Sequence, residues 1–192
     1  PKPAEELEGR RTQHRPAEYH SQRAIEAALF RRQGIGDPGK IQSVRIESHD
    51  ASVDIIGSEP EKWKPETRET ADHSLPYITA IALIDGEVTE KQFQPERFTD
   101  PTIWKFLEEV TVQRNDELTS LYAKAVANIV HVTLQDGKVM TKRGDYQLGN
   151  AFNTVTDEQH ERQFEASVVP APGEAGENTI HHADGTRGEA KN

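Results

Sequence analysis

The sequence predicts an α+β fold, a mainly antiparallel sheet with helices on one face, and three features predict it. Residues 41–48 alternate apolar and polar, as a half-buried strand does. Asp136-Gly137 stands between two strand-like runs and signals a two-residue hairpin. Helical stretches opened by proline fill the intervals, their apolar residues spaced at the helical period. Strands and helices gathered in this way bury one face of the sheet and leave the other wet.

Taken in order, residues 1–14 are charged and polar and read as a flexible lead-in. Residues 17–33 form a helix, with Pro16 near its start, Gly34 at its end and Ala24, Ile25, Ala28 and Leu29 as its apolar stripe. Gly36-Asp37-Pro38-Gly39 is a turn into the strand at 41–48, where Val44 and Ile46 face one way and Ser43, Arg45 and Glu47 the other. Pro76 fits only the first turn of a helix, with Ser74 as N-cap; Ile78, Ile81, Ala82 and Leu83 follow, and Asp85-Gly86 stops it. Asp100 and Pro101 open another helix to residue 109, and residues 110–113 supply a further strand. Strands at 129–134 and 138–143 flank the hairpin. Thr156 and Gln159 are spaced as a capping box for a short helix over 156–164. From residue 168 onward large apolar residues nearly vanish, which predicts a disordered tail. The domain proper is thus expected over 15–166, with 167–192 as tail.

Composition narrows the function. The chain has 192 residues, 33% hydrophobic and 29% charged, which suits one domain with a modest core. Its formal charge of −10 argues against a nucleic-acid partner, which would require a basic face. No apolar run reaches the roughly 20 residues of a membrane span, and nothing resembles a signal peptide, so no membrane partner and a cytoplasmic location are expected. Cysteine is absent, which excludes disulfides and thiolate chemistry. No His, Asp and Glu set has metal-ligand spacing and no glycine loop suits a phosphate, so neither metal nor cofactor is expected.

The segment before Pro76 carries the candidate chemistry. Arg68, Asp72 and His73 precede a helix N-terminus, where backbone N–H groups and the helix dipole favour an anion. From spacing alone this reads first as an ordinary helix start whose His73 is a solvated or hydrogen-bonded bystander; in the alternative, a guanidinium at Arg68 is a bidentate carboxylate clamp and an imidazole at His73 a proton-transfer group. Glu18 and His20 open the first helix; Glu18 is weighed equally as a dipole-stabilising and a functional carboxylate, His20 more as a polar-face residue. His49-Asp50 after the strand reads as a turn, and His131 within a strand as structural.

The run Glu66-Thr67-Arg68-Glu69-Thr70-Ala71-Asp72-His73-Ser74-Leu75-Pro76-Tyr77 resembles the signature segment of the MmgE/PrpD family, which includes 2-methylcitrate dehydratase. Residues 15–28, 46–53, 100–110 and 132–137 resemble other segments of the family in the same order and spacing. The likeness spans roughly residues 10–165 and rests on several ordered segments, which makes it more specific than one short pattern. One loop departs: Tyr146, Gly149 and Asn153 fit the family's Tyr-Pro-x-Gly-His-Pro-x-Asn-Pro type, but its three prolines and histidine are missing, and Gln13 stands where a basic residue is frequent.

The resemblance implies the smaller α+β, lid-like domain of a hydro-lyase that turns 2-methylcitrate into 2-methyl-cis-aconitate in propionate breakdown. It implies a tricarboxylate-type substrate, a helical domain in cis or in trans that completes the site, and a homo-oligomer. The chain is then expected to be a fragment, a split subunit or a truncated product, inactive alone. His73 and Glu18 are the expected catalytic residues, and Arg68, Ser74 and Asp72 the expected substrate-binding ones. Two alternatives stay open: a non-catalytic docking or dimerisation module, and a domain of a sibling cis-aconitate decarboxylase or iminodisuccinate epimerase.

Overall fold

In the computed structural model, residues 16–146 are described. The lead-in, the loop beyond Tyr146, the helix expected at 156–164 and the tail lie outside them.

The alternating segment forms β1 (Ile41–Ser48), with Val44, Ile46 and Ser48 buried on one face. Three more strands join it: β2 (Val110–Arg114), β3 (Asn128–Leu134) and β4 (Val139–Gly144). The sheet order is β2-β1-β3-β4. Both the β1–β3 and β3–β4 pairings are antiparallel, as expected. The β1–β2 pairing is parallel, so the sheet is mixed. The cause lies in the connection: the helical region between Ser48 and Val110 crosses over the sheet and returns the chain to it in the same direction.

The hairpin between β3 and β4 is one residue longer than expected. Gly137 N–H donates to Leu134 O (2.8 Å) and Leu134 N–H to Lys138 O (2.9 Å), so Gln135, Asp136 and Gly137 form the loop. Gly137 alone takes a positive φ there, +83°, the mark of a three-residue loop with a glycine bulge rather than a type I′ turn.

The first helix also starts and ends later than expected. A 3-10 turn, Tyr19–Ser21, leads into α1 (Gln22–Ile35), which stops at Gly36 with φ +69°. Gly34 lies inside α1, where a Cβ would stand 2.9 Å from Met140 Cε; a small residue lets the helix lie close on β4. Its buried stripe includes Ala24, Ile25, Ala28 and Leu29, as the period required.

Beyond β1 come α2 (Arg68–Asp72), α3 (Leu75–Asp85), α4 (Pro95–Phe98) and α5 (Pro101–Leu107); α6 (Asp116–Leu121) follows β2. All residues from Leu75 to Leu83 are fully buried, so α3 is apolar all round and forms the centre of the core. It packs on α1, on α5 and against β2, while α1 crosses β3 and β4. The helices thus cover one face, and the other carries Arg45, Glu47, His131 and Thr141 toward solvent. A clasp holds the C-terminal end of α3: Arg97 donates to both oxygens of Asp85 and to Asp100 Oδ2 (2.8 Å). No described helix is long and apolar enough to cross a membrane.

Candidate functional site: two carboxylate-held histidines

Thr67 caps α2 by accepting from Thr70 N–H (3.1 Å), and His73 ends it at φ −107°, ψ 25°. Because His73 has left the helix, its ring folds back onto its neighbour. Nδ1 lies 2.5 Å from Asp72 Oδ1 and 3.1 Å from Glu69 O. Both partners only accept, so Nδ1 carries the proton and Nε2 is the free position of the neutral ring. Adjacent residues on a helix face apart, and only the helix end permits this pairing. The His73 side chain is half exposed, at 46%.

The helix N-terminus beside it is not an open anion site. Ser74 is fully buried; its Oγ accepts from Tyr77 N–H (3.1 Å) and donates to Lys62 O. Pro76 has no N–H, and Ile78 N–H closes on Ser74 O at 2.9 Å. The Tyr77 and Ile78 donors expected to hold an anion are therefore taken up by the chain itself. Arg68 points to the surface and pairs with Glu90, both side chains more than half exposed.

Glu18 lies against this corner, because its N–H donates to Asp72 O (3.0 Å). The two family-like segments, far apart in sequence, thus meet at one backbone hydrogen bond. The Glu18 carboxylate accepts from His20 N–H (2.7 Å) and from His20 Nδ1 (2.5 Å), capping the Tyr19–Ser21 turn. Nδ1 of His20 is again the protonated nitrogen, and Nε2 faces Tyr122 Oη at 3.3 Å. From β3, Asn128 Nδ2 donates to His20 O (2.9 Å) and fixes the turn from below.

Tyr122 follows α6 and stacks on His49, ring centroids 4.3 Å apart and planes inclined by 22°. His49 is fully buried and takes the expected turn role: its Nδ1 accepts from Ser52 N–H (3.3 Å) as the N-cap of the helical turn after β1. Burial, then the neighbouring His20, pushes its pKa down to about 4 against the pull of Glu18 and Asp50. Spacing had marked His20 as a polar-face residue and passed over Tyr122. The nearest signal to the second was backbone strain: Ala123 has φ +75°, rare for a residue with a Cβ.

A separate polar cluster occupies the open sheet face. Asn115 Nδ2 donates to Glu47 Oε2 (2.6 Å), with Arg45 (3.3 Å) and His131 (3.0 Å) on the other carboxylate oxygen. Burial would raise the Glu47 pKa, but Asn115, Arg45 and His131 together hold it below its usual value. Among the described residues no group of three or more His, Cys, Asp or Glu side chains is placed to hold a metal ion.

In both pairs a carboxylate holds Nδ1 of a histidine, which leaves Nε2 as the acceptor of the neutral ring: that of His73 at the half-exposed surface, that of His20 facing Tyr122. The family model for the MmgE/PrpD C-terminal domain matches residues 16–185. Over 144 residues the chain is 30% identical to a 2-methylcitrate dehydratase of Cupriavidus necator, covering 70% of this chain and 29% of that protein. It is 30% identical over 130 residues to the 2-methylcitrate dehydratase of Salmonella typhimurium, 64% of this chain and 26% of the relative. It is also similar to a cis-aconitate decarboxylase of Mus musculus, 24% identical over 108 residues, 54% of this chain and 21% of the relative. The chain spans less than a third of the length of the curated relatives it matches. With a family match that extends over most of its length, this chain belongs to the MmgE/PrpD family.

Proposed function

We propose that the chain is the small α+β domain of a 2-methylcitrate dehydratase-type hydro-lyase, working in the cytoplasm against a helical domain supplied in cis or in trans. The observation that carries this reading is the Glu18–Asp72 backbone bond, which brings two carboxylate–histidine pairs into one corner. Dehydration of a hydroxy-acid removes a proton beside a carboxylate and expels hydroxide, so it uses one base and one acid. Glu18 and His20 serve as the base pair. Asp72 orients His73, whose protonated ring hands its proton to the leaving hydroxyl. Arg68 exchanges its exposed Glu90 partner for a substrate carboxylate, an exchange favoured by bidentate geometry. Ser74 supports the site from inside by fixing the start of α3, which sets where His73 stands. The helical domain supplies the remaining cations and the opposite wall, and the assembled enzyme is a homo-oligomer.

The experiment combines the full chain with the helical domain of a 2-methylcitrate dehydratase. Appearance of the unsaturated product is followed by ultraviolet absorbance. Turnover by the mixture and none by either part supports the reading. His73→Ala lowers that turnover by about a hundredfold or more and leaves the melting temperature near the parent's. A mixture that associates yet never turns over 2-methylcitrate overturns it and favours a non-catalytic docking module.

A further inference from the structure

We propose that Tyr122 is the substrate-facing end of a proton relay, Tyr122–His20–Glu18, seated on the buried ring of His49. The proposal rests on the lyase reading above and adds a residue to which neither the spacing nor the family likeness gave a role.

Hydrogen-bond logic fixes the direction of the relay. The carboxylate of Glu18 only accepts, so the neutral His20 ring is protonated at Nδ1 and its Nε2 is an acceptor. Tyr122 Oη, 3.3 Å away, then donates to that nitrogen. Exposure shows which group meets substrate. The His20 side chain is 15% exposed, whereas Tyr122 is 42% exposed and lies over it. A ligand in this corner touches the phenol first, and the imidazole stands behind. The groups that face His20 are Glu18 and Tyr19 on its own turn, His49 from the turn after β1, and Tyr122 from the loop after α6. His49 stays uncharged at neutral pH and so adds no competing positive charge beside the base.

The aromatic seat is built rather than incidental. His49 is held by Ser52 N–H, and its face carries the Tyr122 ring at stacking distance. The next residue, Ala123, keeps a left-handed backbone, a conformation that persists only where surrounding contacts hold it.

In the dehydration the carbon-bound proton passes to Tyr122 Oη while the Oη proton passes to His20 Nε2. The C–H electron pair becomes the new C=C bond. The C–O bond breaks, and the hydroxyl leaves with its electrons and takes a proton from protonated His73 to depart as water. Protons are then exchanged with solvent to reset both histidines.

The test uses Tyr122→Phe, which keeps the stacked ring and removes only Oη. In the full chain labelled with nitrogen-15 at histidine, loss of the donor shifts the His20 Nε2 resonance toward that of an unbonded acceptor, with unchanged melting. In the chain combined with the helical domain, kcat falls by about a hundredfold or more with KM little changed. An unchanged His20 resonance overturns the hydrogen bond. A shifted resonance with full kcat overturns the relay alone. A parent mixture with no dehydratase activity overturns the lyase reading and the relay with it, whatever the resonance does.

Discussion

His49 makes stability depend on pH in a window that carboxylates do not reach. Its pKa is about 4 in the fold against 6.5 for a free imidazole, because burial and the neighbouring His20 disfavour the charged ring. Between those values the unfolded chain binds a proton that the folded chain refuses, so acid favours unfolding. The contribution is complete above the unfolded pKa and is lost as pH falls from about 6.5 toward 4. At 1.36 kcal/mol per pH unit, lowering pH from 7.5 to about 5 costs roughly 2 kcal/mol. For a body of this size that is roughly 6–12 °C in melting temperature. Glu47, Asp54 and Asp100, whose pKa values are lowered, lose their stabilisation only below their own unfolded values and leave this window clear. Thermal unfolding followed by circular dichroism, at several pH values between 7.5 and 5, reads the slope for the parent and for His49→Asn. Asparagine keeps an acceptor for Ser52 N–H but has no proton to gain. The variant should be less stable at pH 7.5, where the cavity beneath Tyr122 opens, and distinctly flatter below it. Equal slopes for the two proteins would refute the reasoning.

Ser74→Ala removes a helix cap and leaves Lys62 O without its buried donor, which together should destabilise by about 2–4 kcal/mol in urea titration. A change within about 0.5 kcal/mol would mean the buried hydroxyl is dispensable for folding. Arg68→Ala, by contrast, breaks an exposed pair and should alter stability by less than about 1 kcal/mol, so a larger loss in the same titration would make Arg68 structural. Gly86→Ala keeps the space it needs but forces a φ of +73° on a residue with a Cβ, and should cost about 1–2 kcal/mol by thermal unfolding.

Local rules made much of the fold legible. Pro76 with Ser74, Asp100 with Pro101, and the alternation through β1 each specify an element from a few neighbouring residues, and the elements stand where those rules put them. The direction of β2 was not legible, because a strand's own residues carry no record of the path by which the chain reaches it. Gly34 misled for a related reason: in isolation glycine ends a helix, but here it lies inside one, against the tip of Met140 from a distant strand, which a larger residue would have to displace. At the site, Glu18, Asp72 and His73 were visible through their segments. Tyr122 was not, since it stands 102 residues from His20 and its value comes from a stack and a hydrogen bond that only folding creates.

The same physics explains why the two histidines were judged unequally from the sequence. A histidine just before a helix start, within a family-like segment, looks reactive because of that place. A histidine two residues after a glutamate, at the opening of a helix, looks like ordinary capping. In the structure both arrangements do the same thing. Glu18 caps its turn with one oxygen and holds the His20 ring with the other, and capping and orientation are two uses of one carboxylate. A carboxylate committed to backbone and ring at once cannot swing away without uncapping its own turn, so the imidazole it holds is preorganised by folding itself. In the Asp72–His73 pair the carboxylate caps no turn, and the His73 side chain is the more exposed of the two histidines. That difference suits the proposed division, in which the part-buried His20 takes up a proton through Tyr122 at a fixed place and the exposed His73 faces the departing water.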